Sequence, residues 1–212
     1  MHKHKFRASS LADIMTDPKG KDEVLSVGAK TTVESLVKQF MYGYDKVVTG
    51  KYMDKGIEVE DQSIELVNQV FFTNYKKNTE RRTNDWITGE CDIIVPGVKV
   101  IDIKSSWSLD TFPALSKSGE DKTYEWQGRA YMMLWDVDQF EINYCMVSTP
   151  EHLVGYEDTQ LHEVDHINPE MRVTRVLYKR DLALEEKIKT KVEAAQKYME
   201  ALVHEIANQH NY

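Results

Sequence analysis

Cysteine is scarce: the 212-residue chain has two, Cys91 and Cys145, each in an apolar, strand-like run with no metal-ligand spacing. A disulfide framework is thereby excluded, and both read as small core residues in a reducing compartment. Long apolar runs are missing too. No stretch approaches the roughly 18 uncharged apolar residues of a membrane span, and the basic opening MHKHKFRASS lacks the apolar region of a secretory signal. A cytoplasmic location is the expectation. Positive charge is in deficit, with 27 Lys and Arg against 35 Asp and Glu and a net charge of -8. This argues against a surface coated for nonspecific nucleic-acid binding, but not against a local basic groove. Repeats, low-complexity tracts and linkers are also lacking, so residues 1–212 read as one domain, with a core over about 31–180 and a C-terminal helix over about 182–208.

What is present reads as an α/β fold. Residues 8–15 offer Ser9 or Ser10 as the cap of a short turn. Apolar residues from Val33 to Val48 recur at helical spacing behind a Thr31/Glu34 capping box, predicting a helix over 31–48. The polar KYMDK stretch is expected to end it, and a second helix runs from about 56 to 72. Strands are predicted over 86–95, 99–105, 140–148 and 172–179, and helices over 123–135 and 182–206. The stretch 107–122 reads as a long loop. In the helix over 123–135, Gln127 and Tyr131 are four apart and share a face.

The pattern turns on residues 89–106, GECDIIVPGVKVIDIKSS, two apolar strands meeting at Pro96-Gly97. Strand alternation places Val100, Asp102 and Lys104 on one face and Ile101 and Ile103 on the other. Either this is an exposed hairpin with a polar face, or the charges converge on a site, since charges are not buried unpaired. Glu60 lies on the apolar stripe Ile57, Ile64, Val67 and Phe71 of the second helix. It is either a stripe-edge carboxylate reaching water or one turned inward toward a cation. Glu60, Asp92 and Asp102 together form an oxygen-only set suited to magnesium or manganese, with Lys104 beside it. That combination suits phosphodiester hydrolysis, in which charge grows on a phosphoryl group. The run YKKNTERR over 75–82 reads as a solvated connection or as a source of phosphate contacts from Lys76, Lys77, Arg81 and Arg82.

The spacing Asp92-x9-Asp102-x-Lys104 resembles the PD-(D/E)XK nuclease signature, with Cys91 where the family name has proline. Upstream, Gly56-x3-Glu60 resembles its first acidic motif. Downstream, Gln127-x3-Tyr131 resembles the Q-x-x-x-Y motif of the RecB-like and lambda-exonuclease-like branch. The resemblance implies a restriction-endonuclease-like core, a central mixed sheet flanked by helices, and a magnesium- or manganese-dependent deoxyribonuclease, most naturally an exonuclease of phage-type recombination or repair. Asp92, Asp102 and the backbone carbonyl of Ile103 would bind the metal, and Glu60 would reach it directly or through water. Lys104 would orient the attacking water, and Gln127 and Tyr131 would line the cleft; Ser105 and Ser106 either add phosphate contacts or are simply a serine-rich strand end. DNA is the implied partner, with a recombination or single-strand annealing protein and a homo-oligomer as further expectations, and the host cytoplasm as the place if the chain is phage-encoded. The iron–sulfur cluster of some RecB-like relatives is not expected with two distant cysteines.

The alternatives are an endonuclease of the same superfamily, or a noncatalytic DNA-binding module that retains the fold. More distant is a zinc peptidase through His162-Glu163-x-x-His166, which spells H-E-x-x-H. That segment is mostly polar and stops at Pro169, so a solvated surface is expected there. The nuclease reading carries a geometric condition. A two-residue loop at Pro96-Gly97 would pair Asp92 with Ile101 and set the carboxylates on opposite faces, and the fixed negative φ of proline disfavours the type I′ turn of such loops. An odd-length loop or a bulge is therefore predicted.

Overall fold

The computed structural model describes residues 4–47 and 49–210. Its centre is a mixed sheet of order β4-β5-β6-β7, formed by β4 (Ile93–Val95), β5 (Lys99–Ser105), β6 (Gln139–Cys145) and β7 (Val173–Lys179). β5 and β6 run parallel, from Lys99 opposite Gln139 to Ser105 opposite Cys145. Parallel neighbours need a crossover, and helix α5 (Lys122–Trp135) supplies it, capped by Asp121, whose side chain accepts from the Thr123 and Tyr124 N–H groups. Alternation along β5 separates two apolar clusters. Val100 belongs to the larger, with Ala130, Phe140, Ile142 and residues of helices α2 (Val27–Tyr42) and α7 (Leu182–Gln209). Ile101 and Ile103 belong to the smaller, with Ile64 and Val67 of helix α4 (Glu60–Phe71).

The α/β class is as read from the sequence, but the strand predicted over 86–95 is two. Its first part, β3 (Ile87–Gly89), lies in a separate sheet of order β1-β3-β2, between β1 (Phe6–Arg7) and β2 (Arg82–Thr83). The chain leaves the ladder at Cys91 and Asp92 because Asn78 takes over their carbonyls. Its N–H donates to Asp92 O at 2.7 Å and its side-chain amide to Cys91 O at 2.9 Å.

The first helix starts a turn earlier than predicted. Ser26 Oγ accepts from Ala29 N at 3.1 Å, Ala29 extends the buried stripe, and Thr31 donates to Val27 O from inside the helix. Gly43, at φ 64, ends it, so Tyr44 and Val47 lie beyond it and exposed; Val48 lies outside the described residues. The KYMDK stretch, expected to terminate a helix, instead begins α3 (Lys51–Glu58). Val59, at φ -106 and ψ 12, breaks the second predicted helix into α3 and α4. Ile57 is therefore exposed rather than on an inward stripe, and Glu60 becomes the first residue of α4. Short turns occupy 8–15, with helix α1 over Ala12–Met15, but neither Ser9 nor Ser10 caps them. Helix α6 (Glu151–Val154) and 3-10 turns fill the connection before β7.

Candidate active site

The loop between β4 and β5 has three residues, Pro96, Gly97 and Val98, with Gly97 at φ 70. The register pairs Ile93 with Ile101 and Val95 with Lys99, so Asp92 faces Asp102 across the next step. The odd-length loop thus meets the geometric condition, and both carboxylates reach one cleft. Asp92 Oδ2 accepts from Ile103 N at 2.6 Å. Asp102 is 2% exposed. Its Oδ1 accepts from Gln127 Nε2 at 2.9 Å, and Lys104 Nζ lies 2.7 Å from its Oδ2. That contact is an ion pair off the hydrogen-bond direction, so Oδ2 is buried without a hydrogen bond. Gln127 Nε2 also donates to the Tyr131 oxygen at 2.9 Å, and the Tyr131 hydroxyl donates to Glu90 O at 2.9 Å.

The structure therefore brings together Asp92, Asp102, Ile103, Lys104, Gln127 and Tyr131. They line a cleft of about 700 Å³ with Glu60, Ser105, Ser106, Tyr124, Trp107 and the α3 residues Tyr52, Met53 and Gly56. Glu60 stands at the rim, ion-paired with Lys77, close enough that its charge raises the pKa of Asp92. Among the described residues no three His, Cys, Asp or Glu side chains converge as a ready metal cluster. The expected three-carboxylate set is present as a pair with a third at its edge, because the break at Val59 moves Glu60 to a helix end and Lys77 holds it there.

Electrostatics set this cleft apart. Burial first, and then the charge of Asp102, push the Asp92 carboxyl up to about 8, against the Ile103 N–H and Lys104, which lower it. Burial pulls the Lys104 ammonium down, but the charge of Asp102 in close contact outweighs it and holds it above the ordinary lysine value. Burial, followed by Asp102, raises the Tyr131 phenol, which stays a donor. An acid whose pKa is higher in the folded chain than in the unfolded one costs stability as pH rises, here from 3.8 toward about 8. In EDTA, Asp92→Asn should therefore raise Tm by about 2–4 °C near pH 8.5, the size of about 1 kcal/mol in a chain of this length, and much less near pH 5.5. Equal gains at the two pH values would show that Asp92 is not the source.

Several neighbours were not singled out from the sequence. Lys55, read as part of a polar helix terminator, is fully buried. Its ammonium has three donors and no acceptor, and it donates to the carbonyls of Ser106, Trp107 and Val147 at 2.6, 3.1 and 3.0 Å, joining α3 to the ends of β5 and β6. Burial lowers its pKa to about 8. The basic run is locally balanced, with Arg81 on Glu90 and Arg82 on Glu80 beside the Lys77–Glu60 pair. The H-E-x-x-H segment forms no zinc-binding helix, and the solvated reading fails for His162. That ring is 1% exposed, 3.0 Å from Thr149 Oγ1 and 3.2 Å from Glu157, with Trp107 edge-on at 5.1 Å, while Glu163 and His166 are exposed.

No family model and no curated protein matches the chain. Solved structures do. A phage-related exonuclease from Haemophilus somnus 129PT is 38% identical with a TM-score of 0.90, over 96% of this chain and 97% of that one. The alkaline exonuclease LHK-Exo from Laribacter hongkongensis shares the fold at 18% identity and a TM-score of 0.69, over 98% and 93% of the chains. Its complex with dAMP gives 19% and 0.71 over the same shares. The fold, with two carboxylates and a lysine on one hairpin, is that of a PD-(D/E)XK nuclease of the lambda-exonuclease-like branch. Within that branch the chain belongs to the family of the phage-related exonuclease of Haemophilus somnus.

Proposed function

We propose that the chain is a magnesium- or manganese-dependent deoxyribonuclease that digests DNA from its ends, with residues 1–212 acting as one nuclease unit. One observation carries the reading: the register that sets Asp92 opposite Asp102, with Lys104 and Gln127 on the latter. The donor set fits a hard divalent cation. Asp102 Oδ2 is buried without a hydrogen bond, Asp92 is pushed toward protonation by burial and then by the charge of Asp102, and the available donors are oxygens. Asp92, Asp102 and the carbonyl of Ile103 would hold the ion, with Glu60 reaching it through water. When bound, it would supply an activated water and offset charge growing on the phosphoryl group.

The protein's own groups account for the remaining work. Lys104 faces the cleft as an ammonium, orients the attacking water and receives phosphate charge. Gln127 fixes the Asp102 carboxylate, and Tyr131 fixes Gln127 by anchoring to Glu90 O. The dAMP complex of the related fold supports a nucleoside monophosphate as the released product. No helix among the described residues is long and apolar enough to cross a membrane. A recombination or annealing protein and further copies of the chain are proposed as partners on the family resemblance.

The test is digestion of linear and circular duplex DNA with magnesium and with EDTA. Linear duplex should disappear with release of mononucleotides, circles should persist, and EDTA should stop the reaction. Cleavage of closed circles would make the chain an endonuclease. DNA binding without any cleavage would make it a binding module.

A further inference from the structure

Tyr124 opens the face of α5 that carries Gln127 and Tyr131, three and seven residues on, and both Tyr124 and Gln127 meet β5, at Lys104 and Asp102. Its ring centroid lies 4.5 Å from Lys104 Nζ, well inside the roughly 6 Å over which a ring face attracts an ammonium. The ring has an aromatic neighbour on the strand beside β5. Tyr144 packs against it at 6.3 Å and is itself tied by its hydroxyl to Gly119 O at 2.8 Å. A Cβ on Gly119 would come within 2.8 Å of the Tyr144 ring, so the ring is closely packed on that side.

Lys104 has a long, rotamer-rich stem and an open cleft in front of it. With Asp102 as its one anchor, 2.7 Å away, the ammonium would be free to swing out into the cleft. We propose that Tyr124 is a positioning residue of the nuclease: its ring, packed beside Tyr144, holds the Lys104 ammonium between Asp102 and the cleft. The inference rests on the reading of Lys104 as the nuclease lysine. It assigns the effect to the ring face and none to the phenol hydroxyl.

The test is steady-state digestion of linear duplex DNA, alongside the DNA dissociation constant in EDTA and Tm. Tyr124→Leu should lower kcat by about 10- to 30-fold, leave KM and the dissociation constant within about twofold, and Tyr124→Phe should recover most of the loss. Should the leucine variant fail to fold, fluorinated phenylalanines at 124 keep the shape while draining the negative ring face, and kcat should fall stepwise with fluorine number. A wild-type kcat in Tyr124→Leu, a Phe variant as slow as the Leu variant, a loss confined to KM, or a flat fluorine series would each overturn the inference. Lys104→Ala separates the two levels. If it abolishes cleavage while the Tyr124 series is flat, the positioning role alone fails. If it leaves cleavage intact, the reading of Lys104 fails.

Discussion

Asp102→Asn should lower cleavage of linear duplex DNA by about 10³-fold or more, while the chain still folds and still binds DNA in EDTA. The substitution is nearly isosteric, and its carbonyl can keep the bond from Gln127 Nε2 at the position of Oδ1. The change falls on the other oxygen. Oδ2, buried without a hydrogen bond and 2.7 Å from Lys104 Nζ, becomes an amide that offers donors to an ammonium and none of the charge a divalent cation requires. Both partners of that oxygen are lost at once. Removing a negative charge from the cleft should also leave DNA affinity unchanged or tighter, since phosphate repulsion falls. The signature is therefore a collapse of kcat without a rise in the dissociation constant, read by single-turnover digestion and by fluorescence anisotropy in EDTA. Unchanged cleavage would sink the site. A dissociation constant weakened in step with kcat would make Asp102 a binding or folding residue.

How much of this site the sequence discloses depends on how local its determinants are. The register of the hairpin is local: the φ of proline disfavours the two-residue turn, and Gly97 accepts the positive φ that a three-residue loop uses. The sequence alone thus sets Asp92 and Asp102 on one face. Helical periodicity predicts a long helix over 182–206 in the same way, and the observed α7, Leu182–Gln209, agrees. The misread features are held by distant groups. Asn78 draws the carbonyls of Cys91 and Asp92 out of the ladder, which divides a strand that looks continuous. Lys55 is buried because three carbonyls from β5 and β6 meet its ammonium, which nothing in KYMDK announces. The break at Val59 falls between two segments that both favour helix, so periodicity ran across it and put Glu60 on a continuous stripe. Tyr124 is the intermediate case. Its place three residues before Gln127 was legible, but its meeting with Lys104 required β5 and α5 side by side.

Gly128→Ala should destabilise the fold by about 2 kcal/mol or more and disable the cleft with it. Local preference argues the other way, because alanine inside a helix is favoured over glycine by about 1 kcal/mol. Packing opposes it and is larger. A Cβ at 128 would lie 1.8 Å from Phe140 Cδ1 and 2.0 Å from Cε1, inside the atoms of a fully buried ring. Phe140 has little freedom to yield, stacked on Tyr178 at 6.0 Å and edge-on to Tyr131 at 6.3 Å. Overpacking of this kind costs about 1–3 kcal/mol and sometimes more, so either the ring tears away from β7 or α5 lifts from the sheet. Lifting α5 withdraws the neighbouring Gln127 from Asp102, so activity should fall in any molecules that still fold. Urea denaturation gives the stability change, and a cycle with Phe140→Leu tests its cause. The double variant should be more stable than Gly128→Ala alone, since the smaller side chain vacates the space the methyl group needs. A Gly128→Ala chain as stable as wild type would mean that α5 can stand off from β6, and that the close approach placing Gln127 on Asp102 is not imposed by this contact.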